Sequence, residues 1–404
     1  MDQVFTRRQH IQGLANLACT AAAGGARAEN QNVVYGQTTL PSGIRSRFLD
    51  NVNGLRVHIL EAGFESRDRP CILLLHGFPE LAYSWRKVML PLAAAGFHVI
   101  APDQRGFGRT AGWDANYDCD LSSFSMLNMV RDALGLVWAS GYRSVAAVVG
   151  HDAGSPVAGW CALIRPDVFR SVAMMSAPFA GAPVPSFRAA FSTPNIDEQL
   201  AALARPRKHY QRYYTTREAN DNMRNCPQGL QAFFRAYYYY KSADWKQNRP
   251  FPLKARTAEE LARLPTYYVM DLEKGMCETV AEHMPSAAEI AACRWLTNDE
   301  IKVYASEYGR TGFQGGLNGY RRGADARLNA ELQLFSGRTI DVPSCFISGK
   351  SDWGVYQTPG AVDRMRSSAC TKMTGFHLIE GAGHWVQQEK SEQVSQLLLQ
   401  FLRA

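Results

Sequence analysis

The first half of the chain switches between short apolar runs and longer segments whose apolar residues recur at helical spacing. Leu55 to Glu61 reads as a strand. Pro70 to Leu75 is a second, apolar throughout as in a strand buried on both faces, and His98 to Ala101 is a third. Leu121 to Ser140 repeats at helical period and stops at Gly141. A β-branched run from Ser144 then ends abruptly in Gly150-His151-Asp152-Ala153-Gly154, with a helical segment from Val157 to Ile164 and another strand from Ser171 to Met175. Strands separated by helices predict an α/β protein with a mostly parallel, doubly wound sheet.

The alternation stops near Pro178 and resumes at Ser344 to Gly349, with a last strand around Thr374 to Glu380. The stretch 181–338 is too long for a loop and carries its own core material, the aromatic run Phe233 to Tyr240 and a helical segment from Thr257 to Leu264. It predicts an inserted, mainly helical cap on a core formed by 29–180 and 339–404. The cap is expected over the carboxyl ends of the strands, where open α/β sheets bind ligands.

Composition narrows the chemistry. With 46% hydrophobic and 20% charged residues, the 404-residue chain reads as globular, and its net charge of +7 is spread without a block of like charges, so no nucleic-acid partner is expected. No segment is long and apolar enough for an integral membrane span. The nine cysteines show neither C-x-x-C nor zinc spacing, and Gly106-x-Gly108 lacks the rest of a dinucleotide fingerprint, so no metal or cofactor is expected.

Strand, sharp turn and helix around Asp152 form the context in which a nucleophile is held on a strained elbow, glycines flanking it on both sides. No G-x-S-x-G occurs in the chain, and the nucleophile position is Asp152. Asp352 follows the first strand after the insertion, in Gly349-Lys350-Ser351-Asp352-Trp353, and His384 follows the last, in Gly381-Ala382-Gly383-His384-Trp385. Nucleophile, acid, histidine is the chain order of an α/β-hydrolase triad. In His76-Gly77-Phe78-Pro79, the Phe78 amide is placed to join that of Ala153 in an oxyanion hole.

From about residue 45 onward the chain resembles the α/β-hydrolase-fold epoxide hydrolases. The resemblance rests on His76-Gly77-Phe78-Pro79-Glu80 with Ser84-Trp85-Arg86, on Gly150-His151-Asp152, on Gly383-His384-Trp385 with Glu389-Lys390, and most specifically on Thr311 to Arg321. It implies that Tyr320, and Tyr210 in His209-Tyr210-Gln211, bind the epoxide oxygen from the cap, although Tyr213 and Tyr214 stand close to Tyr210 as rivals. It also implies a small-molecule epoxide and water as reactants, and it leaves oligomeric state open, a homodimer included. Two features depart from the family pattern: Ala153 stands where tryptophan is usual, which should enlarge the pocket beside the nucleophile, and the cap is longer.

The chemistry explains the residue types. Displacement at a saturated carbon by serine would leave a stable ether, whereas a carboxylate leaves an ester that water can cleave. A haloalkane or haloacid dehalogenase shares this logic but needs halide-stabilising donors, often an indole directly after the nucleophile, which Ala153 cannot supply. A hydrolase-fold receptor without turnover is the other alternative. His76, His151 and Asp103 read as scaffolding, and the tyrosine run at 237–240 as core.

At the N-terminus, Thr6-Arg7-Arg8-Gln9-His10-Ile11 precedes a small-residue run ending in Ala26-Arg27-Ala28. Over residues 1–28 this resembles a twin-arginine export signal and predicts a periplasmic protein, against the alternative of a plain tail on a cytoplasmic one. Sequencing the N-terminus of protein from its native source is expected to give a start near Glu29. An intact Met1 or Asp2 start would reject processing.

Overall fold

Eight strands form the main sheet, in the order β1-β2-β4-β3-β5-β6-β9-β10. The computed structural model describes residues 35–403 except 37, 67 and 184–194, so the export-like segment lies outside the described residues. β1 (Arg45–Val52) and β2 (Leu55–Ala62) are an antiparallel hairpin, and β2 also runs antiparallel to β4 (His98–Pro102). β3 (Cys71–Leu75), β5 (Ala147–His151), β6 (Val172–Met175), β9 (Ser344–Gly349) and β10 (Met373–Ile379) continue the sheet in parallel. β7 (Arg207–His209) and β8 (Val269–Asp271) form a small antiparallel pair inside the inserted stretch.

The central strands β3 to β6 and β9 are buried along their whole length, as continuous apolar runs require in a sheet covered on both faces. β1 escaped the sequence reading because its sequence, RSRFLDNV, is polar at most positions and its side chains are mostly exposed at the sheet edge. The expected helix from Leu121 is broken. A 3-10 turn at Leu121–Phe124 ends at Ser125, whose side chain accepts from Asn128 N and caps a new helix, Met126–Ala139.

Between β6 and β9 the chain is mainly helical, as the patterning implied. The longest helices there are Gly229–Lys241, Asn298–Thr311 and Gln314–Ala324. The aromatic run lies on the first of these, with Phe233, Phe234, Tyr237, Tyr238 and Tyr240 buried. Tyr238 stacks on Trp385 at 4.1 Å between centroids, and its main-chain oxygen accepts from Trp385 Nε1 at 2.8 Å. Aromatic pairs of this kind contribute about 0.5–1.5 kcal/mol beyond their buried area. All eight described cysteines are free thiols.

A charged clamp fixes the inserted helices to the sheet layer. Arg86 donates through Nε to Glu300 Oε1 at 3.1 Å and through Nη1 to Gln388 Oε1 at 3.0 Å, with both charged side chains nearly buried. Glu300 also closes the capping box with Thr297 that starts the Asn298–Thr311 helix. Removing one partner of a buried pair strands the other charge. Glu300→Ala should therefore lower the unfolding free energy by about 3–5 kcal/mol, measured by urea denaturation; a loss indistinguishable from that of a surface substitution would contradict the clamp.

Candidate active site

The elbow after β5 places Asp152 at φ +50°, a left-handed conformation uncommon for a non-glycine residue. The flanking glycines are required by close approach. A Cβ on Gly150 would meet Gly154 O at 2.1 Å, and one on Gly154 would meet Leu75 O at 2.4 Å. Asp152 N donates to Met175 O at 3.1 Å, tying the turn to the neighbouring strand.

The carboxylate is held asymmetrically. Phe78 N donates to Asp152 Oδ1 at 3.0 Å, while Oδ2 lies 3.4 Å from His384 Nε2. Ala153 N makes no hydrogen bond among the described residues. Burial by itself would raise the Asp152 pKa, but His384, Lys241 and His151 around it hold the carboxyl well below the usual carboxylate range. It is an ionised, partly desolvated carboxylate.

His384 Nδ1 sits 3.1 Å from Asp352 Oδ1 and 2.9 Å from Ser176 Oγ. A carboxylate only accepts, so the Nδ1 proton lies on this side, while Nε2 faces the Asp152 carboxylate. Asp352 accepts in addition from Ser348 Oγ at 2.9 Å and Gly354 N at 2.7 Å. Burial opposes its ionisation, and His384, with Ser176 and the Gly354 amide, outweighs that, holding its pKa low.

Tyr320 packs on the Phe78 ring, and Tyr210 packs on Tyr320. Tyr320 lies 5.4 Å from Phe78 and 5.9 Å from Tyr210 between ring centroids. Burial raises both phenol pKa values well above the ordinary value, and the Asp152 charge adds to this, which puts both hydroxyls within its field as neutral donors. Tyr210 O–H is loosely held, donating to Gln357 Oε1 at 3.4 Å and accepting from Gln211 Nε2 at 3.3 Å. Of the rivals, Tyr213 is spent on Asn222 Oδ1 at 2.7 Å, whereas Tyr214 packs 4.9 Å from Tyr320 with its hydroxyl 3.2 Å from that of Tyr237.

A cavity of about 550 Å³ opens beside these groups, lined among others by Phe78, Ala153 and Tyr320. Ala153 is exposed to it, at the position where a tryptophan would fill space. This volume falls within the ordinary range for small-molecule sites.

The residues read as scaffolding behave so. His76 accepts at Nε2 from Gln104 N (3.1 Å), so Nδ1 carries the proton and donates to Gly77 O (2.8 Å), and burial lowers its pKa. Asp103 pairs with His58 at 2.7 Å and accepts from Ala82 N. Sequence reasoning missed Ser176, Lys241 and the supporting roles of Glu80 and Glu389. Glu389 accepts from Gly383 N, Ala243 N and Trp385 N at 2.8–3.0 Å, fixing the His384 loop. Lys241 O accepts from His384 N at 2.9 Å, and its ammonium lies 4.9 Å from the Tyr268 ring. Only Glu80 and Glu389 left a signal, as members of the quoted motifs.

The chain matches the alpha/beta hydrolase fold family over residues 70–391 and belongs to that family. It is an epoxide hydrolase. Epoxide hydrolase A of Mycobacterium tuberculosis is 32% identical over 361 residues, 88% of this chain and 96% of the relative. The epoxide hydrolase of Caballeronia sordidicola is 30% identical over 351 residues, 87% of this chain and 92% of the relative. Among solved structures, an epoxide hydrolase from an endophytic Streptomyces superposes with a TM-score of 0.71 at 29% identity, covering 90% of this chain and 96% of that one. Epoxide hydrolase A of Mycobacterium thermoresistibile gives 0.69 at 30% identity, covering 89% and 98%.

Behind the nucleophile, His151 Nδ1 donates to Glu80 Oε2 at 2.6 Å and Nε2 donates to His384 O at 2.7 Å, so the ring is an imidazolium. Burial alone would remove the proton, but the Glu80 carboxylate outweighs it and lifts the His151 pKa to about 9. A raised pKa adds stability that is fully present below the unfolded value of about 6.5 and is lost as pH rises through about 9. The unfolding free energy of the wild type should therefore fall relative to that of His151→Gln as pH rises from 7 to 10. A constant difference across that range would show that the pair is not ionic.

Proposed function

We propose that the epoxide is opened through an ester on Asp152, and that the residues assembled around it divide the work in two steps. The observation that carries this reading is the asymmetric hold on Asp152. One oxygen is fixed by the Phe78 amide, and the other makes no hydrogen bond among the described residues and faces His384 Nε2 at 3.4 Å.

In the first step Asp152 Oδ2 attacks one ring carbon. The new C–O ester bond forms as the epoxide C–O bond breaks, and its electron pair stays on the departing oxygen. Tyr320 and Tyr210 hydrogen-bond to that oxygen and protonate it. In the second step His384 Nε2 takes a proton from water, which attacks the Asp152 carbonyl carbon. The Phe78 and Ala153 amides receive the oxyanion, each such donor being worth about 2.7–4 kcal/mol. Collapse of this intermediate breaks the acyl C–O bond, His384 returns its proton to the departing alcohol, and a vicinal diol leaves. The proton freed as Asp152 ionises again restores the tyrosine. Asp352 orients the imidazole and balances its transient charge.

Dehalogenation is not favoured, since a halide leaves without needing a proton and the phenols would be idle. Asp152→Ala should abolish turnover with the fold intact, and His384→Gln should trap the ester as a mass increase on the peptide containing Asp152. Tyr320→Phe should slow ester formation about 100-fold or more with little change in ester hydrolysis, and the Tyr210→Phe, Tyr320→Phe double variant should lose most ring opening. Pre-steady-state kinetics on an aryl epoxide separates the steps. Unmodified His384→Gln after incubation with a proven substrate would refute the ester, and wild-type alkylation by Tyr320→Phe would refute the tyrosine's role.

A further inference from the structure

The cavity beside Ala153 has a charge imbalance that epoxide opening does not use. Its charged lining consists of Arg105, Arg212, Arg256 and Arg322 against a single carboxylate, Asp197. Arg105 is neutralised by Asp132 at 2.8 Å, and Arg212 lies 3.9 Å from Asp197. Arg322 has no such partner. Among the described residues no carboxylate lies within 4.0 Å of it, no hydrogen bond engages it, and no aromatic ring underlies it, although its Nε is sealed from solvent. Burial without compensation pulls its pKa down to about 10, which still leaves it fully charged near neutrality.

Such an arrangement is costly unless something completes it. Guanidinium groups that lose water are ordinarily matched by carboxylate or carbonyl oxygens. A place in the last turn of a helix explains why a cation is tolerated, but not why it faces the cavity. The neighbouring Arg321 shows the usual solution, donating to Asn318 Oδ1 at 3.0 Å and stacking on Tyr117 at 3.8 Å. Arg322 instead lines the cavity together with Gly315, Gly319 and Tyr320 of the same helix. A Cβ at Gly319 or Gly323 would meet nothing within 4 Å, so these cavity-lining glycines leave open space rather than permitting a close contact. Arg256, exposed and also without a carboxylate within 4.0 Å among the described residues, adds a second positive charge to the same wall.

We infer that Arg322 is a substrate-binding residue that receives an anionic group, and that the preferred substrates are epoxides carrying a carboxylate. This rests on the epoxide-opening reading and adds the substrate class to it. The guanidinium fork would take the carboxylate bidentately while the epoxide end lies under Tyr320, on the same helix.

The test uses two probe pairs: styrene oxide bearing a ring carboxylate and its methyl ester, and straight-chain terminal epoxides ending in a carboxylate and their methyl esters, over several chain lengths. In at least one pair the wild type should prefer the acid by about 10-fold or more in kcat/KM, the worth of one charge-assisted hydrogen bond. The preference should reside mainly in KM. Arg322→Gln should remove it, and Arg322→Lys should restore part of it. Equal kcat/KM for acid and ester in every pair, or an equal loss on both members of a pair in Arg322→Gln, would overturn the assignment. Diol formation from the methyl esters keeps that failure distinct from failure of the epoxide-opening reading, which instead predicts no diol from any neutral epoxide.

Discussion

Everything at the catalytic centre depends on one buried ion pair, Glu80 with His151. Both side chains are fully buried. Glu80 accepts from Gly77 N at 2.9 Å and from Gln387 Nε2 at 2.8 Å, and His151 donates to His384 O at 2.7 Å. Three segments far apart in sequence are thus referenced to one charge pair: the turn carrying Phe78, the elbow carrying Asp152 and the loop carrying His384. A buried pair adds little net stability, because desolvation offsets most of its Coulomb energy. Its contribution here is positional. The Phe78 amide and the His384 imidazole sit on opposite oxygens of one carboxylate, and under the proposed mechanism a displacement of about 1 Å would forfeit much of the rate.

This placement also accounts for what the sequence could and could not reveal. Strands β3, β5, β6 and β9 are apolar because both faces are covered, so their signal survives without context. β1 has one neighbour and an exposed face, and its mixed polarity carries no comparable signal. The break at Ser125 is a local choice between continuing a helix and starting another, and it was settled by a side-chain cap that helical periodicity does not encode. The tyrosine run was legible as core, yet one of its members, Tyr237, reaches the hydroxyl of Tyr214 beside the site. A helix packed over an active site uses the same aromatic residues for both purposes.

The meeting of Asp152, Asp352 and His384 was legible for a further reason. Asp152, Asp352 and His384 each follow a strand, and parallel strands bring their carboxyl ends to one edge, so chain order alone predicts their meeting. Ser176 follows β6 in the same way and reaches His384 Nδ1, but a serine after a strand is too common to stand out. Lys241 is less accessible still. It approaches the site only because the His384 loop packs on the end of the Gly229–Lys241 helix, where Lys241 O accepts the His384 amide. Residues whose role arises from tertiary packing leave no spacing to read.

The two ends of the cavity obey different physical demands. At the Asp152 end the carboxylates and the imidazole are held by named partners, and substitutions there are constrained by angles and distances. At the Arg322 end the wall is set by omission: glycines at 319 and 323, and a cation with no carboxylate partner among the described residues. Omissions of this kind neither stabilise the fold nor assist the chemistry, since each glycine in a helix costs roughly 0.5–1 kcal/mol relative to alanine and each desolvated charge costs more. Recognition of an anionic substrate group, as proposed above, accounts for such a wall, and the conversion of the substrate does not.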